Sequence, residues 1–252
     1  MNRNVLAVDT SSRSLSIAVR TARGRIFEIH FSNALRHSEE IVTEIRLALH
    51  KVKLSSADLS DFLWGAGPGS FTGLRIGFST LKAFALVFKN KKFFAASSLD
   101  LIALGCPSIQ TGKQLIVCVD ARRERIYASS YRFENGEIKR SHKEVLVTIK
   151  TLLSWTNVES ILTGDALEKY GTLIREKALN KIEFLDSKYW YPQAKTLFCL
   201  SEIKPKWLVP LSLRTMMPRY LRITEAEENR KNRLKTNVSK PNRASQTRSA
   251  CL

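Results

Sequence analysis

A glycine-rich segment, residues 67–77, has the residue types that could do chemistry. It reads Gly-Pro-Gly-Ser-Phe-Thr-Gly-Leu-Arg-Ile-Gly and comes shortly after the apolar residues 62–64. The turn residues predict a sharp connection from a strand into a helix, and Ser70 or Thr72 would cap that helix. Backbone N–H groups at such a helix start can hold an anion. The candidate anion-facing or nucleotide-facing loop consists of Gly67, Gly69, Ser70, Thr72, Gly73 and Arg75.

The spacing of this segment matches neither of the two best-known phosphate loops. The dinucleotide fingerprint G-x-G-x-x-G, begun at Gly65, has Ser70 where its third glycine should stand. The Walker pattern requires Gly-Lys followed by Ser or Thr, and the segment contains no lysine that could reach the outer phosphates. Two interpretations remain open: an anion-facing loop, and a tight strand-to-helix connection with close packing of the backbone.

Two aspartates that follow apolar runs are the candidates for catalytic carboxylates. Asp9 follows residues 5–8, and Asp120 follows residues 115–119. Neither has a partner acid, base or metal ligand within reach in the sequence, so we expect both to cap turns. The four cysteines form no C-x-x-C pair, which argues against zinc and favours a reducing cytosol. The sequence therefore predicts no catalytic residue and no metal site.

Hydrophobic periodicity predicts the elements that would position these residues. Segments 5–8, 15–19 and 26–31 are apolar runs or alternate with period two, which indicates a meander of three strands. A helical period follows, with Ile41 and Ile45 on one apolar stripe.

A second helix, from about residue 70 to 88, has an apolar seam with spacings of four and three. Such a seam is typical of a helix that packs against another helix. The seam consists of Leu74, Phe78, Leu81, Ala85 and Phe88. The helix is apolar on a second side too, so it must be buried on more than one side. Either it lies wholly inside its own domain, or part of it faces a partner.

Five blocks of the sequence, in order, resemble the TsaB (YeaZ) proteins, bacterial relatives of the TsaD threonylcarbamoyl transferases. The blocks are Val5-Leu6-Ala7-Val8-Asp9-Thr10-Ser11, Arg36-His37-Ser38-Glu39, the segment 67–77, Ala96-Ser97-Ser98-Leu99 and Pro218-Arg219-Tyr220-Leu221-Arg222. The resemblance implies the α/β fold of the actin-like, sugar-kinase-like and Hsp70-like ATPases, which is ribonuclease H-like, with two degenerate α/β halves. We expect an N-terminal half with dimerisation helices at 1–105 and a C-terminal half at 106–227.

The resemblance also implies a function. A TsaB-like chain would be a non-catalytic subunit that pairs with the TsaD transferase and the TsaE ATPase to make N6-threonylcarbamoyladenosine at position 37 of tRNA. The partner surface would lie on the helices at about 37–53 and 70–88, and the chain alone would form a homodimer. The expected interface residues are His37, Ile41, Ile45, Leu74, Phe78, Leu81 and Ala85. No cofactor is expected on the chain alone, although the complex could hold ATP or ADP and Mg²⁺.

Two departures from the catalytic relatives support a non-catalytic role. Active members of the wider ATPase superfamily resemble D-x-G-T at the first turn, whereas this chain has Asp9-Thr10-Ser11-Ser12, whose side chains crowd a phosphate. The catalytic relatives bind metal through paired histidines on a helix, and here His37 is followed four residues on by Ile41. The enzyme alternative, a residual ATP-hydrolysing or peptidase activity, would need groups that these positions lack.

Charge suggests a further alternative, a basic RNA-binding module. The 252 residues contain 41 basic and 23 acidic residues, a formal net charge of +18, which favours polyanions by steering alone. Part of the excess lies in residues 228–252, which have too few apolar residues to fold and are predicted to be a disordered basic tail. This tail has no aromatic residue for base stacking. We expect a cytoplasmic protein, with contact to tRNA through the complex and none to a membrane.

Overall fold

This computed structural model describes residues 3–31, 37–107, 112–134 and 136–221. These residues form two β-sheets in which five strands follow the same order. In sheet order the first sheet is β11-β5-β4-β1-β2-β3 and the second is β10-β9-β6-β7-β8. The strands are β1 Val5–Asp9, β2 Leu15–Arg20, β3 Ile26–Phe31, β4 Asp61–Gly65, β5 Lys92–Ala96, β6 Gln114–Asp120, β7 Arg125–Glu134, β8 Glu137–Thr148, β9 Ser160–Thr163, β10 Ile182–Phe184 and β11 Val209–Leu211. The helices are α1 His37–Lys51, α2 Phe71–Val87, α3 Ser98–Gly105, α4 Ile149–Ser154, α5 Ala166–Lys177 and α6 Thr196–Ile203.

The predicted internal duplication is confirmed by the pairing pattern. In each half the leading strand pairs antiparallel with the next strand of a three-strand meander, and parallel with the strand that follows the meander. A further strand then joins in parallel, β5 in the first half and β10 in the second. β1 and β6 are therefore the central strands of equivalent sheets, which is why both are almost continuous apolar runs.

Helices cover both faces of the first sheet. On one face α1 and α2 pack over Leu6, Val8, Phe62 and Trp64. On the other face α3 and α6 pack over the alternate strand residues, because successive side chains of a strand point to opposite faces. α3 also packs against the second sheet, whose opposite face is covered by α4 and α5.

The segment that follows the second sheet returns to the first sheet. α6 packs against β1, and β11 pairs antiparallel with β5 in the register Val209↔Ala95. Sequence periodicity did not indicate this return, because β11 is only three residues long. The division at residue 105 remains a prediction, and residues 222–252, which include the predicted tail, lie outside the described part of the chain.

Candidate functional site

Four glycines spaced four residues apart cover the turn between β1 and β2. A Cβ on Gly65 would lie 1.8 Å from the carboxylate of Asp9, and one on Gly77 would lie 2.4 Å from the hydroxyl of Thr10. A Cβ on Gly69 would meet the carbonyl oxygen of Ser11 at 2.1 Å, and one on Gly73 the carbonyl oxygen of Thr10 at 2.0 Å. The glycines are therefore required for close approach of the backbone to residues 9–11, the second of the two interpretations left open by the sequence.

The carboxylate of Asp9 is completely buried in this turn. It accepts hydrogen bonds from the backbone N–H of Ser11 at 2.8 Å and from the hydroxyls of Ser11 and Ser98 at 2.7 Å. The Ser98 hydroxyl in turn accepts a bond from the N–H of Gly67 at 3.1 Å. Burial raises the pKa of Asp9 to about 6 despite these donors. The predicted turn-capping role of Asp9 is confirmed.

The start of α2 is capped by Ser70, which decides between the two predicted caps. Its hydroxyl accepts from the N–H of Gly73 at 3.3 Å, and its own N–H donates to the carbonyl of Ser11 at 2.6 Å. Of the predicted anion-facing residues, Gly67, Gly69 and Gly73 are thus packed or hydrogen-bonded within the chain, while Thr72 and Arg75 are exposed. Anion or nucleotide binding at this loop remains a prediction, and it would rest on the exposed residues.

The titration of Asp9 gives a testable pH dependence. Because its pKa is raised in the folded state, its contribution to stability is present below pH 4 and is lost as pH rises through about 6. Between pH 4 and 7 the wild-type chain should lose about 2 kcal/mol of unfolding free energy relative to Asp9→Asn, which cannot titrate. Urea unfolding of both proteins across this range measures the difference. A constant difference between them would contradict the assigned pKa.

The second half has an equivalent strand-end turn. The Asp120 carboxylate accepts from the N–H of Arg122 at 2.8 Å, which confirms its predicted capping role. The Asp120 N–H donates to Asp165 at 2.9 Å, and burial raises the pKa of Asp165 to about 6. Arg13, on the β1–β2 turn, forms an ion pair with Glu168 of α5 at 3.1 Å.

Among the described residues, no group of three or more histidine, cysteine or acidic residues could hold a metal ion.

Most of the predicted interface residues are buried within the chain itself. Five of the seven are fully packed in the core beneath α1 and α2: Ile41, Ile45, Leu74, Leu81 and Ala85. Phe78 is half-buried, with its ring 6.4 Å from that of Trp64. The side chain of His37 lies outside the described residues. These side chains are therefore packed inside the free chain, and their assignment to a partner interface remains a prediction. Contacts with a partner would be made largely by their exposed neighbours.

Exposed residues next to these stripes, together with the buried Ile41, line a groove of about 450 Å³ between α1 and α2, which we call the helix-pair groove. Val42 and Phe71 both line this groove and leave 56% and 41% of their surface exposed, so their apolar side chains share one surface. The groove is lined by Ile41, Val42, Phe71, Thr72, Arg75, Ile76, Ser79 and Thr80. Sequence reasoning missed Val42 and Phe71 because they lie outside the regular apolar stripes. The signal that could have found them is that both are apolar residues at positions off the stripe.

Residues 218–221, part of a block singled out in the sequence only by resemblance, join the glycine-rich loop to the second sheet. The N–H of Arg219 donates to the carbonyl of Ala66 at 2.8 Å, and its guanidinium forms an ion pair with Glu144 of β8. The ring of Tyr220 lies 5.1 Å from that of Phe71. This segment therefore fixes one edge of the helix-pair groove.

The duplicated sheets define an α/β protein with two related halves. Residues 32–228 match the family model described as TsaD, tRNA N6-adenosine threonylcarbamoyltransferase. The chain belongs to this family and, within it, to the TsaB (YeaZ) proteins.

Individual relatives agree with this assignment. The chain is 29% identical to the tRNA threonylcarbamoyladenosine biosynthesis protein TsaB of Buchnera aphidicola subsp. Schizaphis graminum, covering 82% of this chain and 99% of that protein. It is 31% identical to Escherichia coli TsaB over 52% of this chain and 57% of that protein.

Solved structures show the same fold. YeaZ from Pseudomonas aeruginosa covers 87% of this chain and 100% of its own, with a TM-score of 0.73 and 22% identity. A second Pseudomonas aeruginosa structure, described as an uncharacterized protein with similarity to peptidase YeaZ, also has a TM-score of 0.73, at 21% identity. No described helix is long and apolar enough to cross a membrane.

Proposed function

We propose that this chain is a non-catalytic subunit of the machinery that makes N6-threonylcarbamoyladenosine at position 37 of tRNA. Its TsaB relatives are named as tRNA threonylcarbamoyladenosine biosynthesis proteins. The observation that carries the proposal is the helix-pair groove, an apolar surface next to a first turn whose aspartate is already hydrogen-bonded within the chain. Its work would be to bind a partner in the cytoplasm.

The first turn supports the non-catalytic part of this proposal. In an active ATPase of this class the aspartate after β1 must reach a metal ion. Here the Asp9 carboxylate is buried and engaged by Ser11 and Ser98. Gly69 and Gly73 bring the start of α2 against the same turn, so that a phosphate would have to displace backbone.

The helix-pair groove supports the partner part. Apolar side chains that stay exposed at a groove with a polar rim are typical of protein interaction sites. Val42 and Phe71 would be buried by a pair of helices from TsaD, with Arg75 at the rim. In the absence of TsaD, the same surface on a second copy would give a homodimer about a two-fold axis. TsaE would join the TsaD-bound form, and any ATP or ADP and Mg²⁺ would be held by the complex.

Purification of the tagged chain from its native host tests this class of function directly. We expect TsaD and TsaE to co-purify. Recovery of the chain without either protein, under conditions in which a tagged TsaD does recover TsaE, would contradict the proposal.

The free chain should also lack turnover. We expect no ATPase, threonylcarbamoyl transferase or peptidase activity above a buffer blank, because the first turn offers no carboxylate to solvent. Steady-state assays of the purified chain, with Asp9→Asn as the matched control, measure this. Activity in the wild type that is lost in Asp9→Asn would establish the enzyme alternative, for which the peptidase-like description of one structural neighbour is the present support.

The basic tail at 228–252 is assigned no part in this function. Its deletion should leave folding and binding to TsaD unchanged, and should lower nonspecific affinity for tRNA in a salt-dependent way. The alternative of a basic RNA-binding module concerns the positive charge in the body of the chain, of which one cluster lines a groove on the second sheet.

A further inference from the structure

Strand β8 forms one edge of the second sheet and is irregular in its middle. Its register with β7 runs from Tyr131↔Arg140 to Ser130↔His142 and then to Ala128↔Val145. Between the first two of these pairs the chain advances one residue in β7 and two residues in β8. Between the second and third pairs it advances two residues in β7 and three in β8. Each mismatch inserts an extra residue into β8, and such bulges re-aim the side chains around them.

The bulged part of β8 and a short 3₁₀ helix, Pro205–Trp207, enclose a groove of about 370 Å³, which we call the cationic groove. On a regular strand, side chains one residue apart would face opposite sides of the sheet. Here the register breaks begin after Arg140, and residues on both sides of the first break line one groove. The lining residues are Ile138, Lys139, Arg140, Ser141, Lys143, Lys204 and Trp207.

The floor of the cationic groove is held in place by a buried network. Arg140 binds both carboxylate oxygens of Asp100, through its Nε at 2.8 Å and through Nη2, and Tyr131 donates to the same carboxylate at 2.9 Å. The Arg140 guanidinium also lies 4.0 Å from the ring centroid of Trp207. The position of Arg140 is therefore fixed, since moving it would leave Asp100 buried and unpaired. Asp100 balances its charge, so Arg140 adds hydrogen-bond donors to the groove and no net charge.

The rim carries three lysines, of which Lys204 is paired with Glu137 at 2.7 Å. Within the described part of the chain, Lys143 is exposed and has no ion-pair partner. Lys139 pairs with Glu134 at 2.9 Å, and both side chains are about half exposed. Exposed pairs of this kind contribute little to stability, so a polyanion can replace the glutamate. A fixed guanidinium, a serine hydroxyl and mobile lysines are the donors that bind phosphate groups.

We infer that the cationic groove binds the phosphodiester backbone of RNA. The choice of RNA among polyanions rests on the proposed function. The inference that the groove binds a polyanion rests on the bulges of β8 and on the cations that line the groove. One ring face of Trp207 is covered by Arg140, so recognition would come from charge and would be independent of sequence. The cationic groove is separate in its residues from the helix-pair groove, so the chain could hold RNA and a protein partner together.

Titration of fluorescently labelled tRNA with the full-length chain, followed by anisotropy in the absence of TsaD, tests this inference. We expect Lys139→Gln/Lys143→Gln to weaken binding about tenfold at low salt. Loss of two phosphate contacts should also flatten the slope of log affinity against log salt by roughly 1.4 to 1.8. The matched control is Arg23→Gln/Lys177→Gln, which removes two exposed cations outside the groove and should change affinity less than twofold.

The outcomes are distinct. Equal affinity of the two double variants would overturn the inference and assign RNA binding to overall charge or to the tail. Competition by polyglutamate as effective as that by unlabelled RNA at equal charge would overturn it in favour of an acidic peptide. TsaD is absent from the titration, so a negative result for RNA binding would leave the co-purification test of the proposed function unaffected. Likewise, a failure to co-purify TsaD and TsaE would leave the titration result unaffected.

Discussion

Replacement of Gly73 by alanine should destabilise the free chain by about 4 kcal/mol. The new methyl group would lie 2.0 Å from the backbone carbonyl oxygen of Thr10, and neither the start of α2 nor the β1–β2 turn has a flexible side chain there that could move away. Relief would require α2 to shift from the sheet, with loss of packing around Leu74 and Leu81. Urea denaturation monitored by circular dichroism measures the effect.

Gly105→Ala is the matched control. Gly105 is also a helical residue, but its added methyl group would meet only the Thr196 hydroxyl, at an ordinary 3.7 Å. This variant should stay within about 1 kcal/mol of wild type, because alanine favours the helix. If Gly73→Ala were as stable as Gly105→Ala, the close approach of α2 to the first turn would be wrong, and the segment would be available as an anion-facing loop.

The fold could be predicted largely from periodicity and resemblance. The meander of β1 to β3, the stripe of α1 and the extent of α2 all follow from spacings of two, three and four residues, and each lies within two residues of its predicted bounds. The repeat of an apolar run followed by aspartate, at Asp9 and Asp120, indicated the duplication that the two sheet orders confirm. Local patterns of this kind are readable because each depends on neighbouring residues alone.

The site was harder to predict, because burial depends on what lies across the fold. The apolar stripes predicted that Ile41 and Leu74 pack against something, but periodicity cannot distinguish a sheet of the same chain from a helix of another. The glycines at 65, 69, 73 and 77 were visible as a motif, yet their common neighbour, residues 9–11, is remote in sequence. The bulges of β8 leave no signature in hydrophobic alternation, so the cationic groove could not be foreseen.

The burial of these stripes changes which substitution tests the interface. Phe78, on the predicted seam, packs against the core and lies under the Lys82 ammonium, 5.2 Å from its ring centroid. A glutamate there would damage the free chain as well as any complex, and the two effects could not be separated. Val42 is a better position, because its side chain lines the helix-pair groove and is 56% exposed in the free chain.

Val42→Glu should abolish association with TsaD and with a second copy of the chain. In the free chain the new carboxylate would be solvated, so the melting temperature should stay within a few degrees of wild type. In a complex it would be buried among apolar side chains such as Phe71, and pairing with Arg75 at the rim would offset only part of the cost of several kcal/mol. We expect at least about a thousandfold loss of affinity, a cost of about 4 kcal/mol. Isothermal titration calorimetry with TsaD and light scattering of the free chain measure the two associations.

Leu179→Glu is the matched control, since Leu179 is 65% exposed in the segment after α5 and lines neither groove. It should bind TsaD with wild-type affinity, which would show that added negative charge on this basic chain is harmless in itself. If Val42→Glu were folded and bound TsaD as well as Leu179→Glu does, the partner surface would lie elsewhere than on α1 and α2. If Val42→Glu lost self-association but kept TsaD, the two partners would use different surfaces, and the groove would serve the homodimer alone.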